Sequence, residues 1–133
     1  MKVGTGQFAT LAETKRRIYE DGKTNSRPIF GNVVWDAENG AKLDSKAFFS
    51  SGVLELPAGG EIMAHRHSTR EEIYYVLEGA GKAVIDGETV DLSPGASLWF
   101  PENCEHCILN PNEEHLLLFF ATAVTEPGNM SHD

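Results

Sequence analysis

From Pro28 to Val124 the chain is cut into short runs of β-branched and aromatic residues, each ended by a turn signal. Ile29–Trp35 is closed by Glu38-Asn39-Gly40, and Ala47–Leu56 by Pro57-Ala58-Gly59-Gly60. Glu61–His67 and Glu72–Leu77 end at Glu78-Gly79-Ala80-Gly81. Lys82–Ile85 turns at Asp86-Gly87, the strongest short hairpin signal in the chain, and Thr89–Leu92 breaks at Ser93-Pro94-Gly95. Ser97–Phe100, Glu105–Leu109 and His115–Val124 complete the set, separated by Pro101-Glu102-Asn103 and Asn110-Pro111-Asn112. Strands this short and this evenly spaced, with almost no helical periodicity, predict an all-β antiparallel sandwich or barrel. Few runs are apolar throughout, so one face of each strand is expected to meet a core and the other solvent or a second subunit.

A chain of 133 residues suits one domain and can bury one full core. Residues 1–26 are polar and mixed and read as an N-terminal extension; Leu11, Ile18 and Tyr19 lie at spacings that suit one short helix around Thr10–Glu20, with a loop as the alternative. Residues 27–125 form the barrel, and 126–133 a frayed polar tail. Twenty acids against eleven bases give a net charge of −9, a field that repels phosphate backbones and anionic lipid, so neither a nucleic acid nor a membrane is an expected partner. No apolar run approaches the ~20 residues of a membrane span. Met1–Gly6 contains no apolar signal core, and a cytoplasmic location is the simplest expectation. Cys104 and Cys107 are too few for a disulfide scaffold and lack the second pair of a zinc ribbon; they read as two reduced thiols.

His65 and His67 are two apart, so on one strand both imidazoles aim the same way. Glu72 follows the Ser68-Thr69-Arg70 break, where a returning hairpin can bring its carboxylate beside them. If His106, on a late strand, also faces inward, the set is three nitrogens and one oxygen, which suits a single divalent transition metal: Fe, Mn, Ni, Co, Cu or Zn. A lone His-x-His is equally compatible with two exposed histidines and no metal.

The offsets extend further. Gly59-x5-His65-x-His67-x4-Glu72-x6-Gly79 resembles the first motif of the cupin family, and Gly95-x5-Pro101-x-Asn103-x2-His106-x3-Asn110 the second. Asn103 departs from the glycine usual there, but asparagine tolerates a left-handed backbone best among non-glycine residues, so the turn should survive. The fifteen residues between Gly79 and Gly95 resemble the compact single-domain members. The resemblance implies a double-stranded β-helix, a jelly-roll cupin barrel, with His65, His67, Glu72 and His106 as metal ligands.

Strand alternation then extends the site. With Glu72 inward, Tyr74 and Val76 face in, and Ile73, Tyr75 and Leu77 face out. Tyr74 is a candidate catalytic residue, donating a proton or orienting a substrate, and Glu72 a candidate proton carrier; a core tyrosine is the plainer reading of Tyr74. Ile108 and Asn110 share the face of His106, whereas Cys107 points away; Cys104 is in phase with His106 but lies in a turn. Met63 is expected to fill the barrel. Three functions compete: a dioxygenase-like oxidoreductase on a small metal-chelating substrate, favoured by an apolar lining; a redox-neutral lyase, isomerase, cyclase or decarboxylase; and a non-catalytic small-ligand binder. Outward Phe30, Trp35 and Phe48 would supply an apolar face for a homodimer.

Overall fold

The computed structural model describes residues 1–32, 43–45 and 48–126. Two curved sheets make a jelly-roll barrel. The larger contains β3 (Arg17–Ile18), β4 (Asn25–Asn32), β5 (Leu43–Ser45), β6 (Ser50–Leu56), β8 (Arg70–Glu78), β11 (Ser97–Phe100) and β13 (Leu116–Val124), in the order β11-β8-β13-β6-β4-β3 with β5 parallel to β4. The smaller runs β10-β9-β12-β7, with β7 at Glu61–His65, β9 at Gly81–Ile85, β10 at Glu88–Leu92 and β12 at His106–Leu109. A separate ribbon pairs β1 (Lys2–Val3) with β2 (Gly6–Gln7).

The alternation anticipated in β8 is present: Glu72, Tyr74 and Val76 are buried, and Ile73, Tyr75 and Leu77 are exposed. Every second residue of β13 is likewise buried, and Leu116, Leu118 and Phe120 meet Leu54, Leu56, Ile62 and Ile108 between the sheets. This interior, with no helix covering either sheet among the described residues, is what closes the sandwich. The Asp86-Gly87 turn has positive φ at both residues (47° and 84°) and connects Ile85 directly to Glu88, the two-residue hairpin its sequence predicts. Asn103 takes φ 62°, so the second motif keeps its left-handed turn without glycine.

The helix expected around Thr10–Glu20 is not formed. A single 3-10 turn occupies Leu11–Glu13, and Arg17–Ile18 is extended, paired with Asn25–Ser26 of β4. Three basic residues in a row and one sparse apolar stripe offer a helix too little buried face, and the open edge of β4 offers Arg17–Ile18 a ladder instead. Met63, expected as filling, is 56% exposed. Phe48 is exposed; Trp35 and the Phe30 side chain, like the Glu38-Asn39-Gly40 turn and the tail beyond Glu126, lie outside the described residues. Among the described residues no helix is long and apolar enough to cross a membrane.

Asn110 fastens one end of the barrel. Its buried side-chain amide donates to the carbonyls of Leu56, Pro57 and Glu114, and its Oδ1 accepts from the Asn112 amide. The loop it anchors delivers His115 between two carboxylates, with Nε2 2.9 Å from Glu78 and Nδ1 3.4 Å from Glu55. The Glu78 contact leads in raising the His115 pKa; burial opposes it, and Glu55 adds to the rise. A histidine raised in the folded state stabilises fully below its unfolded value of ~6.5 and loses that contribution as pH climbs through its folded value. Urea midpoints should therefore favour the wild type over His115→Gln most at pH 5.5, with the gap shrinking by pH 8.5; a gap that widens would contradict the paired imidazolium.

Candidate metal centre

Three side chains from the two sheets and a fourth from a connecting segment meet at one end of the barrel. His65 ends β7, directly opposite His106 at the start of β12, and Glu72 reaches across from β8 in the facing sheet. His67 does not belong to the same strand as His65: β7 ends one residue earlier than Arg66, and His67 is presented by the following turn. That turn is pinned by the amide of Asn103, which donates to the His67 carbonyl at 2.7 Å, so the left-handed residue of the second motif positions a histidine of the first. One ligand atom from each of His65, His67, Glu72 and His106 lies within 4.8 Å of the other three. This is a cluster able to hold a metal ion, and it unites all four residues expected from the spacing.

The rings are individually aimed. His65 Nδ1 donates to the Met63 carbonyl at 2.8 Å and His106 Nδ1 to the Cys104 carbonyl at 3.0 Å, which leaves both Nε2 atoms for the cluster. His106 is buried and stacked on Phe100, centroids 4.1 Å apart and planes within 5°. His67 Nδ1 lies 3.0 Å from an Arg70 guanidinium nitrogen; a guanidinium only donates, so the ring accepts there and carries its proton on Nε2. Ligation of an ion through that Nε2 requires the proton to go and the Arg70 contact to be surrendered.

Charge and solvation favour a cation. Burial alone would raise the Glu72 carboxyl, but the His106 and His67 rings beside it outweigh that and bring it down to about 2, so it is ionised. His65 is lowered, chiefly by burial, with His106 and His67 adding to it against the opposing Met63 carbonyl, so its ring is neutral and can ligate. His67 Nε2 approaches Glu72 Oε1 to 2.7 Å and His106 Nε2 to 3.5 Å, yet neither contact has hydrogen-bond geometry. Glu72 Oε1 and His106 Nε2 thus stay buried without a well-aligned hydrogen bond, which disfavours the metal-free arrangement. Buried lone pairs of this kind, converging in a mixed nitrogen and oxygen set, fit a divalent transition metal.

The cluster opens onto a cavity of about 430 Å³. Tyr74 lines it, buried, edge-on to Phe100 at 5.1 Å and 6.4 Å from the His106 ring centroid. Burial first, then the Glu72 charge, raises its pKa well above the ordinary value, so it keeps its proton. Cys104 packs in the core and Cys107 is half-buried on the other face of β12; burial leads in raising both thiols, and neither joins the cluster. Among the cavity residues that sequence reasoning did not place at the site are Arg17, Tyr19 and Arg70. Asp21 brings the first two there, accepting from the amides of Lys23, Thr24 and Glu61 and so tying the β3–β4 turn to the start of β7. The signal was present in Asp21-Gly22, the same dipeptide that marks the β9–β10 hairpin, with Gly22 at φ 75°.

A double-stranded β-helix with three histidines and one glutamate at its mouth defines a class of protein, and the sequence places the chain in it. Residues 52–122 match the cupin domain family, and the chain belongs to that family. It is 30% identical over 100 residues, 74% of its length, to the dimethylsulfoniopropionate lyase of Ruegeria pomeroyi. A 52-residue stretch, 39% of the chain, is 38% identical to the quercetin 2,3-dioxygenase of Bacillus subtilis. The chain spans 65% of the lyase and 15% of the dioxygenase, under two thirds of either relative. A protein from Thermotoga maritima described as a predicted oxalate decarboxylase has the same fold, with a TM-score of 0.72 and 19% identity over 89% of this chain and 99% of that one.

Proposed function

We propose that the protein is a metal-dependent enzyme acting on a small organic substrate by redox-neutral chemistry, of the lyase or decarboxylase kind. His65, His67, Glu72 and His106 would hold one divalent transition metal, and the observation that carries this is the pair of orphaned buried atoms, Glu72 Oε1 and His106 Nε2, within the cluster that opens onto the cavity. Such an ion supplies Lewis acidity toward a bound carbonyl or carboxylate oxygen. Tyr74 holds its proton and faces the same cavity, so it serves to orient the substrate or donate to it rather than to act as base. Glu72, ionised and committed to the cluster, is better suited to ligation than to carrying the proton.

Oxygenase chemistry was favoured in sequence by an apolar lining. The wall instead mixes apolar residues, among them Phe49, Leu54, Ile62 and Phe120, with polar ones such as Arg17, Ser26, Arg70 and Thr122, and the polar part suits polarised or anionic intermediates. The likeness to the dimethylsulfoniopropionate lyase over three quarters of the chain supports the same choice. The second reading, a dioxygenase, draws on the 38% identical stretch shared with the quercetin dioxygenase. Mass-spectrometric metal analysis of protein purified without chelator, followed by turnover with and without oxygen, separates them. Stoichiometric metal with turnover indifferent to oxygen is expected; oxygen consumption matched to product would establish the dioxygenase reading, and ligand binding without turnover a non-catalytic module.

A further inference from the structure

The chain carries nine more negative than positive charges, yet two of its arginines line the cavity beside the histidine cluster. Arg70 opens β8, two residues from Glu72; its guanidinium lies against the Phe49 ring at 4.8 Å and reaches His67 Nδ1. Arg17 comes from β3, over the Tyr19 ring at 5.9 Å. Tyr19 is hydrogen-bonded to Ser26 in the same wall. Burial leads in lowering the Arg70 pKa, the Glu72 charge opposes it, and the positive field of Arg17 lowers it further, as expected of two guanidiniums sharing one cavity. Of the acids on the lining, Glu72 is taken up by the cluster, and Glu20 and Glu61 are exposed.

We propose that Arg70 and Arg17 form a subsite for the carboxylate of the substrate, which therefore is a small organic carboxylate carrying a second oxygen function for the metal centre. The planar fork of Arg70 matches a carboxylate, and the ring of Phe49 beneath it holds the plane in place. A carboxylate is favoured over a phosphate because a monoanion meets less repulsion from Glu20, Glu61, Glu72 and the acidic exterior. The subsite deepens the metal-dependent reading and rests on it for the second oxygen contact.

The test is calorimetric titration of the full chain, with and without metal, using 4-hydroxybutanoate, 4-hydroxybutanamide and inorganic phosphate; the first is a monoanion with a second oxygen function. The hydroxy acid is expected to bind about 10-fold or more tightly than its amide, with that preference abolished in Arg70→Gln and reduced several-fold in Arg17→Gln. Arg17 is exposed, so its variant keeps the test standing if Arg70→Gln does not fold. No preference in the wild type, a preference that survives both substitutions, or tighter binding of phosphate overturns the inference. Metal content, measured on the same samples, judges the metal reading separately: a carboxylate preference without bound metal retains the subsite and removes the ion, and bound metal without the preference does the reverse.

Discussion

Substitution of His106 by alanine should abolish stoichiometric binding of a divalent transition metal, with affinity falling by about 100-fold or more. Loss of an outer partner to a ligand already costs 10–100-fold, and His106 is itself one of four converging groups. The ring is also structural, buried and stacked flat on Phe100, so its truncation should cost the metal-free protein about 2–4 kcal/mol through the void it leaves. The two effects separate by method. Metal content is read by mass spectrometry, stability by urea unfolding in chelator, and Phe100→Leu supplies the control that loses the stack without losing a ligand. Metal retained at wild-type stoichiometry in a folded His106→Ala protein would remove His106 from the site.

Gly79→Ala should be severely destabilising. Gly79 follows β8 at φ 85°, and an added Cβ would stand 2.1 Å from the His115 carbonyl oxygen and 3.1 Å from the Leu116 Cα. Neither side can yield easily: Glu78 is paired with Leu117, and the Asn110 amide grips the Glu114 carbonyl one residue before His115. Backbone strain and collision together should cost about 3 kcal/mol or more. Gly87 is the comparison, since its φ of 84° is nearly the same but nothing lies within 4 Å of its missing Cβ. Gly87→Ala should cost only about 1 kcal/mol. Equal urea midpoints for the two variants would show that the close approach at Gly79 carries no weight.

The parts of this architecture that were readable from residues alone are those governed by local rules. Turn chemistry placed the Asp86-Gly87 hairpin and the left-handed Asn103, and period-two alternation sorted Glu72, Tyr74 and Val76 from Ile73, Tyr75 and Leu77. The same rule reached the right cluster by a wrong step at His67, which lies beyond the end of β7 and is held by the Asn103 amide instead. What escaped is non-local. Arg17 and Tyr19 gain their place only when β3 joins the edge of β4 and Asp21 caps the start of β7; Asp21-Gly22 marks the turn between β3 and β4, but nothing within residues 1–26 points to β7. Arg70 was passed over as part of a turn because its neighbours Phe49 and His67 come from separate segments.

The pairing of His65 with His106 across β7 and β12 governs the order of events during refolding. Those strands are separated by four others in sequence, and Glu72 reaches its partners only once the opposite sheet has folded over. Closure of so distant a contact is slow and comes after the local hairpins. A chain still short of that closure presents scattered imidazoles with weak, unselective affinity for cations. Were an ion bound at the assembled centre, its uptake would report on the last stage of folding, and an ion supplied earlier would trap the finished barrel rather than template it.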